Sequence, residues 1–299
     1  MSVSSILELE VSWARVYTFK EKHLLVWTER IKAMNENRTG QVAQNAAEIY
    51  EEFLVPALFQ EWVERVADAA QIEEGHHVLD VACGTGVLTR EVERRVGPQG
   101  SVIGLDVNEG MLAVARKKSP HIQWKHGRAE SLPFDNNSFH TVVSQFGLMF
   151  FEDRSAAIRE MSRVLLPGGR LAVAVWDKLE NSPGFAALVT LLERLFGAQA
   201  AEALSAPFSL GDLEDLLPLF RTSDLQNVQV TTINGAARFS SINSWVFIET
   251  KGWTLGNSID ENQYQHLLKE AQRELQPYVL SDGTVEFRIP AHIVTASKK

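Results

Sequence analysis

Between residues 76 and 176 the chain repeats one pattern: about five apolar residues, a turn, then apolar positions at helical spacing. Val78-Leu79-Asp80-Val81-Ala82 opens it, followed by a glycine-rich turn and helical spacing through Leu88, Val92 and Val96 that Gly97-Pro98-Gln99-Gly100 stops. Val102-Ile103-Gly104-Leu105 predicts a second strand ending at Asp106, with a helix through Met111, Val114 and Ala115 behind it. Ile122-Gln123-Trp124 predicts a short strand, and residues 139–144 a longer one centred on Val142 and Val143. A helix over residues 155–165 is predicted to stop at Pro167-Gly168-Gly169, before the apolar strand Leu171-Ala172-Val173-Ala174-Val175. Short apolar strands alternating with helices are the mark of a parallel sheet covered on both faces. Right-handed crossovers then favour a doubly wound α/β sheet.

Three regions lie outside this core. Residues 1–70 read as helical, with apolar and aromatic spacing at Trp13, Tyr17, Leu24, Trp27 and Ile31, then at Ile49, Phe53, Leu58 and Trp62. Residues 183–220 form a second helical block, rich in Leu and Ala and broken by Pro207 and Pro218. Alternation at 228–233 and 284–295 predicts two last strands that complete the sheet, with helical stretches between them. The expected organisation is an N-terminal helical cap over 1–70, a core formed by 71–178 with 221–299, and a helical lid over 179–220.

Composition narrows the class. An apolar content of 45% suits a globular core, and no run approaches the roughly 18 apolar residues of a membrane span. Leu24-Leu25-Val26-Trp27 is too short for a secretory signal, so a cytoplasmic location is expected. One cysteine excludes an internal disulfide framework and a multi-cysteine metal site. No histidine spacing suggests a metal: His76 and His77 are adjacent, and neighbouring strand residues face opposite sides. A formal charge of −9 argues against nucleic acid, which needs dense basic surfaces. The expected partners are a small-molecule acceptor and, as assembly, a homodimer.

The chemistry-bearing motif is Asp80-Val81-Ala82-Cys83-Gly84-Thr85-Gly86, where the first strand turns into a helix. Small residues there let a ligand approach the backbone, at the carboxyl end of a strand where open α/β sheets bind ligands. Thr89 stands where a nicotinamide fingerprint continues with Gly or Ala, which disfavours a dehydrogenase. Asp106, 26 residues beyond Asp80, can accept hydrogen bonds from the ribose hydroxyls of a nucleoside cofactor or serve simply as a helix N-cap. Cys83 reads as a small buried side chain, and Pro167-Gly168-Gly169 as a helix stop.

Taken in order, residues 78–86, Gly104-Leu105-Asp106, Gly127-Arg128-Ala129-Glu130-Ser131-Leu132-Pro133-Phe134 and Arg163-Val164-Leu165-Leu166-Pro167-Gly168-Gly169 resemble class I S-adenosylmethionine-dependent methyltransferases. The likeness is greatest to the ubiquinone/menaquinone-biosynthesis type and covers residues 45–220. It implies a Rossmann-like, mostly parallel seven-stranded sheet, S-adenosyl-L-methionine as cofactor and methyl transfer to a small molecule. It further implies that Asp80 and Ala82, Cys83, Gly84 and Gly86 hold the methionine moiety, that Asp106 takes the ribose, that Met111 packs on adenine, and that Val107 also belongs to the cofactor site. The Ala129 backbone would meet the adenine edge, Gln145 would face the methionine or the acceptor, and Tyr50 would lie over the cofactor. Where relatives read Gly-Asp-Ala-Glu, this chain has Arg128. Either Glu130 or backbone then accepts from the adenine amine, or affinity falls.

A sulfonium cofactor carries its own electrophile, so the protein must bind, align and exclude water. The candidates for proton removal are His126, His140, Tyr50 and Glu51, which spacing alone cannot rank. Residues 40–60 and 183–220 are expected to cover the cofactor and shape the acceptor pocket, through Tyr50 and Phe185. The rival readings are a nicotinamide-dependent oxidoreductase and a non-catalytic S-adenosylmethionine-binding regulatory subunit.

Overall fold

The computed structural model describes residues 42–221, 224–254 and 259–299, so the expectations for residues 1–41, including the aromatic spacing from Trp13 to Ile31, lie outside the described residues. The chain divides into two units, Met1–Asn45 and Ala46–Lys299, and the second carries the sheet. Helix α1 (Val42–Ile49) runs into a widened, π-type helical segment, Tyr50–Phe59, and then α2 (Trp62–Ala69). Pro56 sits inside that segment; it lacks an N–H and pushes against the preceding turn, which accounts for the departure from α geometry.

The alternation then unfolds as β1 (His77–Val81), α3 (Val87–Val96), β2 (Ser101–Asp106), α4 (Glu109–Lys118), β3 (Gln123–His126), β4 (Phe139–Gln145), α5 (Arg154–Val164) and β5 (Leu165–Trp176). Helices α6 (Pro183–Phe196), α7 (Ala198–Ser205) and α8 (Leu213–Arg221) precede β6 (Leu225–Phe239). Next come α9 (Ile242–Phe247), a second π-type segment (Ile248–Thr254), α10 (Glu261–Glu274) and β7 (Val285–Lys298). The seven strands lie in the order β3-β2-β1-β4-β5-β7-β6. All pairings up to β5 are parallel, and β7 is antiparallel to both its neighbours. The two predicted late strands thus complete the sheet, as a long hairpin.

Residues Leu171 to Trp176 are buried without a break. Since successive strand residues face opposite sides, both faces of the sheet are covered. Trp62 of α2 packs edge-on against Phe146 and Trp176, and each such fully buried side chain contributes about 1.5–3 kcal/mol. Phe185, Trp245 and Phe287 form a second aromatic cluster where α6 and α9 meet β7.

Several boundaries differ from expectation, two of them at punctuating residues. Helix α5 ends at Val164, because Leu165 is already extended at φ −67° and ψ 143°. The strand absorbs Pro167-Gly168-Gly169 through a register shift against β4, so these residues interrupt a strand rather than stop a helix. Pro218, expected as a break, lies inside α8.

The chain leaves β1 towards β2 and β3, then returns to β4 on the other side of β1. This reversal opens a crevice beyond the carboxyl ends of β1 and β4, the place where doubly wound sheets bind ligands.

Candidate active site

Backbone strain marks the crevice. Ala82, just after β1, and Phe146, just after β4, both take positive φ, 59° and 57°. Non-glycine residues in that region cost free energy that the surrounding structure must offset, and they concentrate at functional sites. Gly147 is required beside them, since a Cβ there would stand 2.5 Å from the Cβ of Ala82. Gly86 has φ 85°, and its Cβ would enter the Trp124 ring at 2.3 Å. The glycine turn is thus pressed from the β3 side by an indole whose Nε1 donates to the Ser119 carbonyl.

Asp106 ties the turn to β2. Its Oδ2 accepts from the Gly84 N–H and its Oδ1 from the Asn108 N–H, both at 2.8 Å. The cap of α4 is Asn108, whose side chain accepts from Gly110 and Met111, so the N-cap reading of Asp106 does not hold. Burial pushes the Asp106 carboxyl up, against the pull of those backbone donors.

Asp80 is almost completely buried. Its Oδ2 accepts from the Thr89 hydroxyl at 2.6 Å, a role for Thr89 that sequence spacing did not show. Burial, reinforced by nearby Asp106, pushes the Asp80 carboxyl up to about 7. Buried oxygens without hydrogen-bond partners among the described residues surround the turn: Asp80 Oδ1, Thr85 Oγ1, Gln145 Oε1 and Glu51 Oε2. An array dominated by acceptors fits a cationic ligand with N–H donors, which is the chemistry of an amino-acid ammonium next to a sulfonium.

An open cleft runs from this turn along the end of β2. It is lined by Ala82, Asp106, Val107, Arg128, Ala129 and Glu130, all expected, and by Phe150, Phe151 and Glu152, which were not. Val107 and Phe150 are 55% and 57% exposed, two of the three exposed large apolar residues among the described residues. Apolar surface left open inside a cleft suits a flat ring. The signal for this wall was the Phe150-Phe151 pair following β4, which reads in sequence as ordinary loop. Arg128 reaches across the rim to Glu152 at 2.7 Å and Glu130 at 3.5 Å. Glu130 also accepts from the Glu152 backbone N–H.

On the other side of the turn, Tyr50 Cε1 is 4.0 Å from where a Cβ would stand on Gly84. Tyr50 stacks on Phe59, which in turn meets Phe146 and Trp176. The Gln145 Nε2 donates to the Phe59 carbonyl and fastens this segment to β4. Met111 is buried with Ala47 and Val114, with Tyr50 packed against them. Cys83 is buried and its thiol pushed well up, chiefly by burial, which makes it an inert packing group.

The proposed bases separate. His140, the second residue of β4, is about 16 Å of strand away from Gln145 and stacks on His76 at the opposite end of the sheet, so it cannot serve this site. His126 pairs with Asp106 in the sheet register and donates Nε2 to the Val107 carbonyl, at the edge strand three positions from β4. Burial and the carboxylates of Asp106, Glu51 and Asp80 push the Tyr50 phenol far up, so it stays protonated and is no base. Glu51 is buried against Arg90 and Lys118. Phe185 packs against Phe208, Trp245 and Phe287. Among the described residues, no group of three His, Cys, Asp or Glu side chains is arranged for a metal ion.

A seven-stranded sheet of this order, a glycine turn after β1 and an acidic end to β2 define the class I S-adenosylmethionine-dependent methyltransferases. The chain belongs to the ubiE/COQ5 methyltransferase family, whose model matches residues 31–189. It is similar to the demethylmenaquinone methyltransferase of Staphylococcus carnosus, at 33% identity over 217 residues, covering 67% of this chain and 90% of the relative. In fold it is similar to the YcgJ protein of Bacillus subtilis, with a TM-score of 0.56 at 21% identity over 80% of this chain and 98% of that one. The phosphoethanolamine N-methyltransferase 2 of Haemonchus contortus, solved with S-adenosyl-L-methionine, also gives 0.56, at 18% identity over 87% of this chain and 58% of that one. The protein is therefore an enzyme that transfers a methyl group from S-adenosylmethionine to a small-molecule acceptor. Neither the oxidoreductase nor the regulatory-subunit reading finds support. No described helix is long and apolar enough to cross a membrane.

Proposed function

We propose that the nucleoside end of S-adenosylmethionine lies in the cleft between Val107 and Phe150, and that the acceptor is a planar apolar ring received by the Tyr50–Phe59–Phe146–Trp176 wall. The chain of aromatic contacts beside the glycine turn, Tyr50 on Phe59, Phe59 on Phe146 and Phe146 on Trp176, is the observation that carries this reading. Asp106 would take the ribose, with lone pairs left after its two backbone bonds. Asp80, Thr85 and Gln145 would receive the methionine ammonium on their buried oxygens. The Ala129 backbone and the Arg128–Glu130 rim would face the adenine edge.

The bound cofactor supplies an electrophilic methyl group together with its own leaving group. The protein's part is alignment and dryness: orientation of the two reactants can account for several kcal/mol, and a closed site prevents hydrolysis. Tyr50 and Phe59 cover the turn, and the protonated Tyr50 hydroxyl is a donor within that cover. Demethylmenaquinone, for which the Staphylococcus relative is named, has the planar apolar character that this wall suits.

Methyl-labelled S-adenosylmethionine incubated with this enzyme and a short-chain demethylmenaquinone is expected to label the quinone. Cofactor binding without label in the quinone, but with label in a polar amine, would overturn the acceptor assignment. Failure to bind S-adenosylhomocysteine would overturn the cofactor placement.

A further inference from the structure

Glu51 was one of four candidate bases, yet its surroundings give it different work. It lies on the first π-type segment, one residue after Tyr50, with a side chain only 7% exposed. Its Oε1 accepts from Arg90 Nη2 at 3.0 Å and from the Lys118 ammonium. Arg90 belongs to α3 and Lys118 ends α4, so one carboxylate joins three elements. Arg90 also donates Nη1 to the Thr85 carbonyl at 2.7 Å, inside the glycine turn. One turn earlier in the chain, Glu48 of α1 reaches Lys117 at 3.7 Å, a second and more exposed ion pair onto α4.

We propose that Glu51 is a positioning residue: an ionic clasp that fixes the Tyr50–Phe59 segment on the glycine turn and so sets cofactor affinity. This rests on the cofactor placement given above. The guanidinium grips the turn with one nitrogen and the segment with the other. Displacing Glu51 therefore loosens Tyr50 over Gly84 and frees the Thr85 carbonyl's partner in the same motion. The exposed partners, Arg90 at 27% and Lys118 at 47%, make the clasp sensitive to salt, whereas a proton-abstracting carboxylate would not be.

The test is calorimetric binding of S-adenosylhomocysteine to the full chain, with kinetics alongside. Glu51→Gln, which keeps shape and removes charge, is expected to weaken binding about 5- to 30-fold. It should raise KM for S-adenosylmethionine in parallel, change kcat by less than about threefold and leave the pH profile of kcat in place. Lys118→Met, at a half-exposed site that tolerates loss of charge, is expected to weaken binding about 2- to 5-fold. Raising salt from 50 to 500 mM should weaken wild-type binding and leave Glu51→Gln unaffected. Limited chymotrypsin digestion should open the Tyr50–Phe59 segment in Glu51→Gln first.

Unchanged affinity in both variants would overturn the clasp. So would a fall of kcat by about 100-fold or more in Glu51→Gln with loss of the acid limb of the pH profile, which would make Glu51 a base. If Glu51→Gln does not fold, Lys118→Met alone decides. A wild-type chain that fails to bind S-adenosylhomocysteine would overturn the cofactor placement instead.

Discussion

Asp80, one residue before the end of β1, and Asp106, the last residue of β2, lie on neighbouring parallel strands, yet differ in what holds them. Asp106 is anchored by two backbone donors, so its carboxylate is ready for a ribose. Hydrogen bonds to a charged group contribute about 1.5–3 kcal/mol, and Asp106→Ala should weaken S-adenosylhomocysteine binding about 10- to 100-fold by calorimetry. Asp80 has one hydroxyl donor and deep burial, and its carboxyl titrates near 7. A carboxyl raised by folding stabilises the fold most below its ordinary range near 4, and that contribution is lost as pH rises through about 7. Asp80→Asn, which cannot ionise, should therefore melt above wild type at pH 8 and close to it at pH 5. A cationic ligand favours the ionised form, so S-adenosylmethionine should displace close to one proton at pH 6. Calorimetry in two buffers of different ionisation heat reads that proton. Equal heats in both buffers would show that Asp80 does not meet the cation. Both acids were visible in the sequence, Asp80 at the head of the glycine motif and Asp106 as a strand end, but the Thr89–Asp80 bond was not, because it joins a strand to a helix whose relative placement only packing decides.

At the level of elements, what was legible followed from periodicity and punctuation. Strands β1, β2, β4 and β5 are apolar runs bounded by turn residues, and their order in the sheet follows from handed crossovers. The glycine turn was legible for the same reason. Its support was not: Trp124 on β3 lies against Gly86 and Gly104 through a register that no local pattern specifies. Gly86→Ala would combine a positive φ with a side chain driven into that indole. The expected loss is about 2–5 kcal/mol, read as a lower denaturant midpoint. Combining it with Trp124→Leu should return part of that loss; no recovery would mean that φ alone sets the requirement. The π-type character of Tyr50–Phe59 was equally hidden, since helical spacing of apolar residues does not distinguish α from π winding. The packing of Phe185 on Phe287 was not legible, because an apolar helix face reads the same whether it covers a ligand or a sheet flank.

For the whole molecule, one sheet carries the glycine turn, with the Asp106–Phe150 cleft and the Tyr50–Phe59 aromatic contacts beside it. Ligand that binds only the folded state raises its stability by about 2.7 kcal/mol at 100 times Kd. S-adenosylhomocysteine at that excess should raise the melting temperature by roughly 5–10 °C, while NAD at the same concentration leaves it unchanged. A shift with NAD and none with S-adenosylhomocysteine would contradict the site. The hairpin at the far side of the sheet has a different bearing. Phe239 and Val285 are partners on one rung of the β6–β7 ladder, and residues 240–284 leave and return at that rung. Within them, the segment Ile248–Thr254 touches Tyr50–Phe59. Lengthening a loop whose ends already meet costs little, about 0.6 kcal/mol for each doubling. The length of that stretch therefore costs the β6–β7 ladder little, while Trp245 and Leu267 within it are buried in the core and tie it to the rest of the molecule.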